Sequence, residues 1–159
     1  MVNKNSLYQE VRKFLSSIDY INYGGCGFAA LLMHDALRLE GKHHKIVYLY
    51  DDRTHYHFDC NNEAITTGNL TTADSCSHIC LKRGKEHFDA TEDNKDIYKY
   101  KASQVVSRKH LIHSLKYGTW NNMFNQDAFF NKFKKKFGIC LNRYAIDFKD
   151  KNIFGEYKK

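Results

Sequence analysis

The sequence has no proline and no long apolar run. Average usage of about 5% would give roughly eight prolines in a chain of 159 residues. Lysine, asparagine, tyrosine and isoleucine are abundant instead, a bias that is typical of an AT-rich genome and says nothing about chemistry. No stretch approaches the ~20 apolar residues of a membrane span, and no apolar run of the signal-peptide type follows the first charges. We therefore expect a cytoplasmic protein without a membrane partner.

The sequence also lacks paired cysteines. Its five cysteines are odd in number and irregularly spaced, which argues against a disulfide framework, and none forms a Cys-x-x-Cys pair. The residues best suited to bind a metal ion are His55, His57 and Asp59, which lie in a long polar stretch and would share one face if it were a strand. Cys76 and Cys80 could add ligands. Because no second cluster has zinc-finger spacing, we expect neither a metal ion nor a cofactor.

The first two thirds of the chain carry no excess of positive charge. Residues 1–106 hold 13 lysines and arginines against 14 acidic residues, whereas residues 107–159 hold 12 against 4. The content of 42% apolar and 14% aromatic residues argues against disorder. At this length we expect a single domain over residues 1–159, with residues 107–159 as a basic helical extension within it.

Four lysines of this extension lie near the end of a predicted helix. They are Lys132, Lys134, Lys135 and Lys136. Cations at a helix C-terminus complement the helix dipole, so a solvated helix face accounts for them. The alternative is a surface that binds an acidic protein or a nucleic acid.

Hydrophobic periodicity predicts an α+β fold. We expect helices over residues 5–18, 26–39, 107–116 and 125–137, with Val105 and Val106 among the apolar residues of the third helix. Strands are expected over residues 45–50 and 97–101, with a hairpin over 76–90 and a strand or irregular tail over 144–148. The helix that begins at Cys26 is central, packs on an antiparallel sheet and is followed by the extra C-terminal helices. The last helix carries a stripe of phenylalanines that we expect in the core (Phe129, Phe130, Phe133 and Phe137).

Cys26 stands where a glycine-rich turn, Tyr-Gly-Gly-Cys-Gly, gives way to an apolar helix. A thiol at a helix N-terminus faces unsatisfied backbone N–H groups and the positive end of the dipole, and both favour the nucleophilic thiolate. Gly24, Gly25 and Gly27 have no Cβ and would let a substrate backbone approach the sulfur. The competing interpretation is a small apolar residue on a helix that packs against a sheet.

The predicted hairpin alternates His78 and Asp89 with apolar residues. If Arg83-Gly84 is a two-residue turn, His78 and Asp89 lie directly opposite each other with Cβ atoms roughly 5 Å apart. A catalytic imidazole needs such a carboxylate on one nitrogen and a thiol near the other. The competing interpretation is a solvent-facing His–Asp pair on an amphipathic hairpin.

The order of a cysteine at a helix start, a histidine on a strand and an aspartate on the next strand resembles the papain-like and transglutaminase-like cysteine hydrolase superfamily. Within it, Gly-Gly-Cys-Gly-Phe-Ala followed by Ser-His-Ile and Gly-Lys-x-x-x-Asp-Ala is similar to small cysteine-peptidase-like proteins of bacteriophages and bacteria, over about residues 20–90. The resemblance implies a papain-like cysteine peptidase fold with Cys26 as nucleophile, His78 as base and Asp89 as orienting residue. For a phage protein it also implies the host cytoplasm.

One feature of that superfamily is absent. The papain branch has a glutamine a few residues before the cysteine that donates to the oxyanion, and Gln9 is too distant here. Asn22 or Tyr23 could substitute beside the Cys26 N–H, with Gly25 lining the cleft. The implied activity is hydrolysis or transfer at an amide, peptide, isopeptide or thioester bond of a peptide or acyl substrate. The alternative is a catalytically idle phage binding protein that engages a host defence protein, a small molecule or a nucleic acid.

Overall fold

A computed structural model of the chain describes residues 5–50, 76, 78–91, 102–117, 123–144, 146 and 152–155. Within these ranges the predicted mixed α+β fold is confirmed, with four helices and four strands. The helices are α1 (Leu7–Ser16), α2 (Cys26–Leu39), α3 (Arg108–Tyr117) and α4 (Gln126–Phe137), and the strands are β1 (Lys45–Tyr50), β2 (His78–Arg83), β3 (Glu86–Phe88) and β4 (Ala102–Val106).

Polar side chains determine where three of the helices begin. Ser6 Oγ accepts a hydrogen bond from the Gln9 N–H, and the Gln9 side chain accepts one from the Ser6 N–H, so a capping box starts α1. The side chains of Ser107 and Asn125 each accept from the backbone N–H three residues later, before α3 and α4. Gly138, at φ 71°, ends α4.

The strands form one antiparallel sheet in the order β3-β2-β1-β4. Side chains alternate between its two faces. On one face Tyr48, Ile79 and Leu81 join α2 in the main apolar cluster. On the other face Val47, Leu49 and Cys80 form a smaller cluster. The sheet is therefore apolar on both faces at its centre.

The main apolar cluster runs from Val11 to Phe154 and draws on all four helices. The phenylalanine stripe of α4 is buried in it, as predicted. The ring of Phe28, in the first turn of α2, lies 5.3 Å from that of Phe130 and 6.1 Å from that of Phe124. The first turn of α2 is therefore supported by the beginning of α4.

The hairpin register differs from the prediction by two residues. Arg83 pairs with Glu86, so the two-residue loop is Gly84-Lys85 and not Arg83-Gly84. Gly84 has φ 61° and takes the first loop position, where the hairpin turns that match strand twist require a positive φ. A slip of two residues leaves every side chain on its predicted face, whereas a slip of one would have exchanged the faces.

The assignment of Val105 and Val106 to the third helix is wrong. Both belong to β4, where Val105 pairs with Val47 and Val106 with Ile46. β-branched residues fit a pleated sheet better than a helix surface, and Ser107 separates the strand from α3. The strand predicted over 97–101 lies outside the described residues, as does most of the segment 144–148.

Candidate active site

Cys26 is the first residue of α2 and its side chain is half-buried. Gly25 is the N-cap residue, so no side-chain oxygen caps the first turn of this helix. The first N–H groups of an α-helix have no acceptor within the helix itself. The Cys26 thiol therefore lies at a helix N-terminus whose N–H groups have no side-chain acceptor on the N-cap residue.

Gly25 is required by packing within the protein. A Cβ at this position would lie 2.7 Å from the Ile21 carbonyl oxygen and 2.8 Å from Phe124 Cε2. The expectation that Gly25 leaves room for a substrate is not met on this side, because Ile21 and Phe124 fill the space. Gly25 instead lets the loop before Cys26 approach the start of α4.

His78 and Asp89 are in contact beside Cys26. Both side chains are buried, and His78 Nε2 donates to Asp89 Oδ2 over 3.2 Å. The Cys26 thiol lies close enough to the same imidazole to raise its pKa. Because Nε2 faces Asp89, Nδ1 is the ring nitrogen left for the thiol. The burial of both side chains excludes the solvent-facing pair that was the competing interpretation.

The surroundings of His78 favour its protonated form. Burial lowers the pKa of an imidazole, but here hydrogen bonds and charge from Asp89 and Cys26 outweigh burial and raise the pKa of His78 to about 9. An imidazole with this pKa is an imidazolium at neutral pH. The site therefore places a cation in contact with the Asp89 carboxylate and near the Cys26 sulfur.

Hydrogen bonds from Thr91 and Arg12 hold the Asp89 segment just beyond the end of β3. Asp89 Oδ1 accepts from the Thr91 N–H at 2.9 Å and from the Thr91 hydroxyl at 3.0 Å. Arg12, from α1, donates to the carbonyl oxygens of Asp89 and Thr91 at 3.2 and 3.3 Å. Oδ1 is thus occupied by Thr91, while Oδ2 faces His78.

Asn22 and Tyr23, the two side chains suggested as oxyanion donors, lie in different surroundings. Asn22 Nδ2 donates to Thr91 Oγ1 at 3.3 Å, so this amide is directed at the support of Asp89. Tyr23 is 60% exposed, and its ring packs edge-on against that of Tyr20 at 6.2 Å. The remaining predicted oxyanion donor is the Cys26 backbone N–H.

The four lysines of α4 lie apart from these residues. Lys132, Lys134, Lys135 and Lys136 are exposed, and three of them occupy the last turn of the helix. Phe124 and the beginning of α4 contact the Cys26 end of α2, so the lysines lie toward the opposite end of α4. Binding of an acidic partner by these lysines stays a prediction.

Only part of the alternative metal site lies within the described residues. His55, His57 and Asp59 lie outside the described residues. Cys80 is buried in the smaller apolar cluster, and burial raises the pKa of its thiol, which disfavours the thiolate that binds metals. Among the described residues, no group of three or more potential metal ligands is present.

A buried charged cluster on α2 was missed by the sequence patterns. Asp35 accepts two hydrogen bonds from Arg108, at 2.8 and 2.7 Å, one from the Ile153 N–H at 2.9 Å, and contacts His34 Nδ1 at 3.0 Å. The Asn152 side chain also donates to the Asp35 carbonyl oxygen. Burial raises the pKa of this carboxyl, but the hydrogen bonds outweigh burial and lower that pKa. The one sign of this cluster in the sequence is an aspartate, Asp35, on the apolar face of a helix.

Comparisons of the chain with protein-family models, with curated proteins and with solved structures found no match. We therefore infer function from the geometry of these side chains alone. None of the helices in the described ranges has the length and apolar character needed to cross a membrane.

Proposed function

We propose that the protein is a cysteine-dependent acyl hydrolase or acyltransferase that acts on an amide, peptide, isopeptide or thioester bond. The observation that carries the proposal is the buried His78 imidazole, which contacts the Asp89 carboxylate and has its pKa raised by both Asp89 and the thiol of Cys26. The order along the chain and the antiparallel sheet support the further proposal of a papain-like fold.

The proposed resting state is an ion pair of Cys26 thiolate and His78 imidazolium. With a pKa of about 9, His78 is protonated at neutral pH, and a cation beside the sulfur stabilises the thiolate. The α2 N-terminus adds its positive dipole end. Asp89 remains ionised and fixes the ring so that Nδ1 serves the reacting atoms.

The proposed reaction proceeds in two halves. The Cys26 thiolate attacks the substrate carbonyl carbon, and the C–S bond forms as the carbonyl π electrons move to oxygen, where the Cys26 N–H can donate. When that intermediate collapses, the bond to the leaving amine or thiol breaks and the leaving group takes the proton from His78. Water, or a second nucleophile, then gives a proton to His78 as it attacks the thioester and releases the thiolate.

The test uses two small electrophiles and the intact chain. Iodoacetamide at pH 6.5 should alkylate Cys26 before Cys140, although Cys140 is the more exposed thiol. With p-nitrophenyl acetate we expect an acetylated Cys26 that then turns over. Cys26→Ala should remove the early alkylation and the acetyl turnover. Cys140→Ala is the matched control, in which alkylation of Cys26 and acetyl turnover should be unchanged. His78→Gln should slow turnover by about 100-fold or more.

Each outcome bears on the proposal. Equal labelling of Cys26 and Cys140, independent of His78, would contradict an activated nucleophile. An acetyl group that accumulates on Cys26 without release would favour the catalytically idle binding protein. Release that depends on both Cys26 and His78 supports the acyl chemistry.

A further inference from the structure

The hydrogen bonds of the sheet do not fix the orientation of Asp89. β3 ends at Phe88, so Asp89 lies beyond the ladder hydrogen bonds of the hairpin. The aspartate side chain has two soft torsions, and rotation about either would move Oδ2 from its position 3.2 Å from His78 Nε2. Other groups must therefore fix the Asp89 side chain.

Thr91 supplies two of those groups. Its backbone N–H and its hydroxyl both donate to Asp89 Oδ1, at 2.9 and 3.0 Å. Such a turn, in which an aspartate accepts from the residue two positions later, is a local device for orienting a side chain. With Oδ1 occupied in this way, Oδ2 is directed at His78.

The hydroxyl of Thr91 also determines the orientation of Asn22. A hydroxyl has one proton, and an ionised carboxylate only accepts, so that proton goes to Asp89. Toward Asn22 the hydroxyl can therefore only accept, which requires the amide NH2 of Asn22 at the observed 3.3 Å. The hydrogen bonds thus run in one direction, from Asn22 through Thr91 to Asp89.

We infer that Thr91 and Asn22 are positioning residues of the proposed reaction, which act through Asp89 and link the loop of the nucleophile to the carboxylate that orients the base. Asn22 lies four residues before Cys26, and Thr91 lies two residues after Asp89. The inference rests on the proposed function. It replaces the expected role of Asn22 as an oxyanion donor.

The test compares Thr91→Val, which has nearly the shape of threonine but no hydroxyl, with Thr91→Ser, which keeps the hydroxyl. NMR titration of the His78 ring reports the result without any substrate. In Thr91→Val the His78 midpoint should move below the wild-type value of about 9, because the contact with Asp89 is less often formed. In Thr91→Ser it should return to the wild-type position. A midpoint that is the same in both variants would overturn the inference.

Asn22→Ala examines the same link from the other side. If Asn22 is a positioning residue, Asn22→Ala should lower the His78 midpoint. If Asn22 is an oxyanion donor, Asn22→Ala should slow acetyl turnover and leave that midpoint unchanged. Thermal unfolding of each variant establishes that the measured protein is folded. If the midpoints shift but no acyl transfer occurs, the positioning network stands and the proposed function fails. If acyl transfer occurs but the His78 midpoint is the same in Thr91→Val and Thr91→Ser, the proposed function stands and the positioning network fails.

Discussion

Opposing physical effects act on the charge of His78. A buried imidazole would ordinarily be neutral, because burial penalises the charge. Two partners, Asp89 and Cys26, reverse that preference and raise the pKa of His78 to about 9. The charge state of the site is therefore a property of three residues together, and removal of either partner should change it.

Asp89→Asn should lower the pKa of His78, because burial then acts without the opposing carboxylate. The folded-state pKa of about 9 lies above the unfolded value of about 6.5, so the stabilisation is complete below about pH 6.5 and lost as pH rises toward 9. The free energy of unfolding of the wild type should therefore fall across this window, and that of Asp89→Asn should fall less.

Urea unfolding at a series of pH values measures this difference, and NMR titration of His78 measures the pKa itself. Cys26→Ala is the companion variant, in which the pKa of His78 should also fall. Identical pH dependence in the wild type and Asp89→Asn would show that the carboxylate does not hold the charge.

The start of α2 has a strict packing requirement. Gly25 has φ −102°, which any residue can adopt, but an added Cβ would meet the Ile21 carbonyl oxygen at 2.7 Å. Gly84, in the hairpin loop, is the opposite case. Its φ of +61° disfavours other residues, but no atom lies within 4 Å of an added Cβ.

The two glycines therefore form a matched pair for mutation. Gly25→Ala should cost about 1–3 kcal/mol through overpacking and should also slow alkylation of Cys26, because the helix start must shift. Gly84→Ala should cost roughly 1 kcal/mol through backbone strain and leave alkylation unchanged. Urea unfolding and iodoacetamide labelling measure both. Normal alkylation in Gly25→Ala would show that the nucleophile tolerates movement of its helix.

At this scale much of the fold could be predicted. The bounds of α2 and β1 follow from an apolar helix preceded by glycines and from a short β-branched run. The His78–Asp89 contact was predicted through an incorrect turn, because alternation depends on parity and the error was two residues. β4 was missed because Val105 and Val106 precede a good helix cap, Ser107. Local patterns do not show whether the two valines belong to a strand before Ser107 or to the helix after it.

For the whole molecule, the contacts that sequence patterns could not provide are those between distant segments. Asp35 and Arg108 are 73 residues apart, and nothing in either local sequence specifies the other. The support of Asp89 likewise combines Arg12 and Asn22, which precede it by many residues. Periodicity reports the face on which a residue lies, but not its partner on another element.

Charge is also distributed unevenly along the chain, and four exposed lysines of the basic segment 107–159 lie within a stretch of five residues of α4. We expect replacement of all four by glutamine to weaken binding to heparin, an acidic polymer, so that elution requires less salt. Stability should change by within about 0.5 kcal/mol for each lysine, and Cys26 alkylation should be unchanged. The four changes are Lys132→Gln, Lys134→Gln, Lys135→Gln and Lys136→Gln.

The matched control removes the same charge from exposed lysines elsewhere in the chain (Lys13, Lys42, Lys45 and Lys85). Equal elution of the two quadruple variants would show that the α4 cluster binds no better than dispersed charge. Loss of Cys26 alkylation in a folded α4 variant would place the basic segment in the active-site cleft.

The Asp35 cluster has a consequence for how the protein is made. Ribosomes synthesise the chain from its N-terminus, so Cys26, His78 and Asp89 are all present long before residues 152 and 153. Until Ile153 and Asn152 arrive, Asp35 on the helix of the nucleophile lacks a buried N–H donor and the contact to its carbonyl oxygen. A nascent chain would therefore carry Cys26 on a helix whose buried Asp35 is still incompletely satisfied, with His78 and Asp89 already synthesised. The Asp35 cluster becomes complete only once translation has passed residue 153.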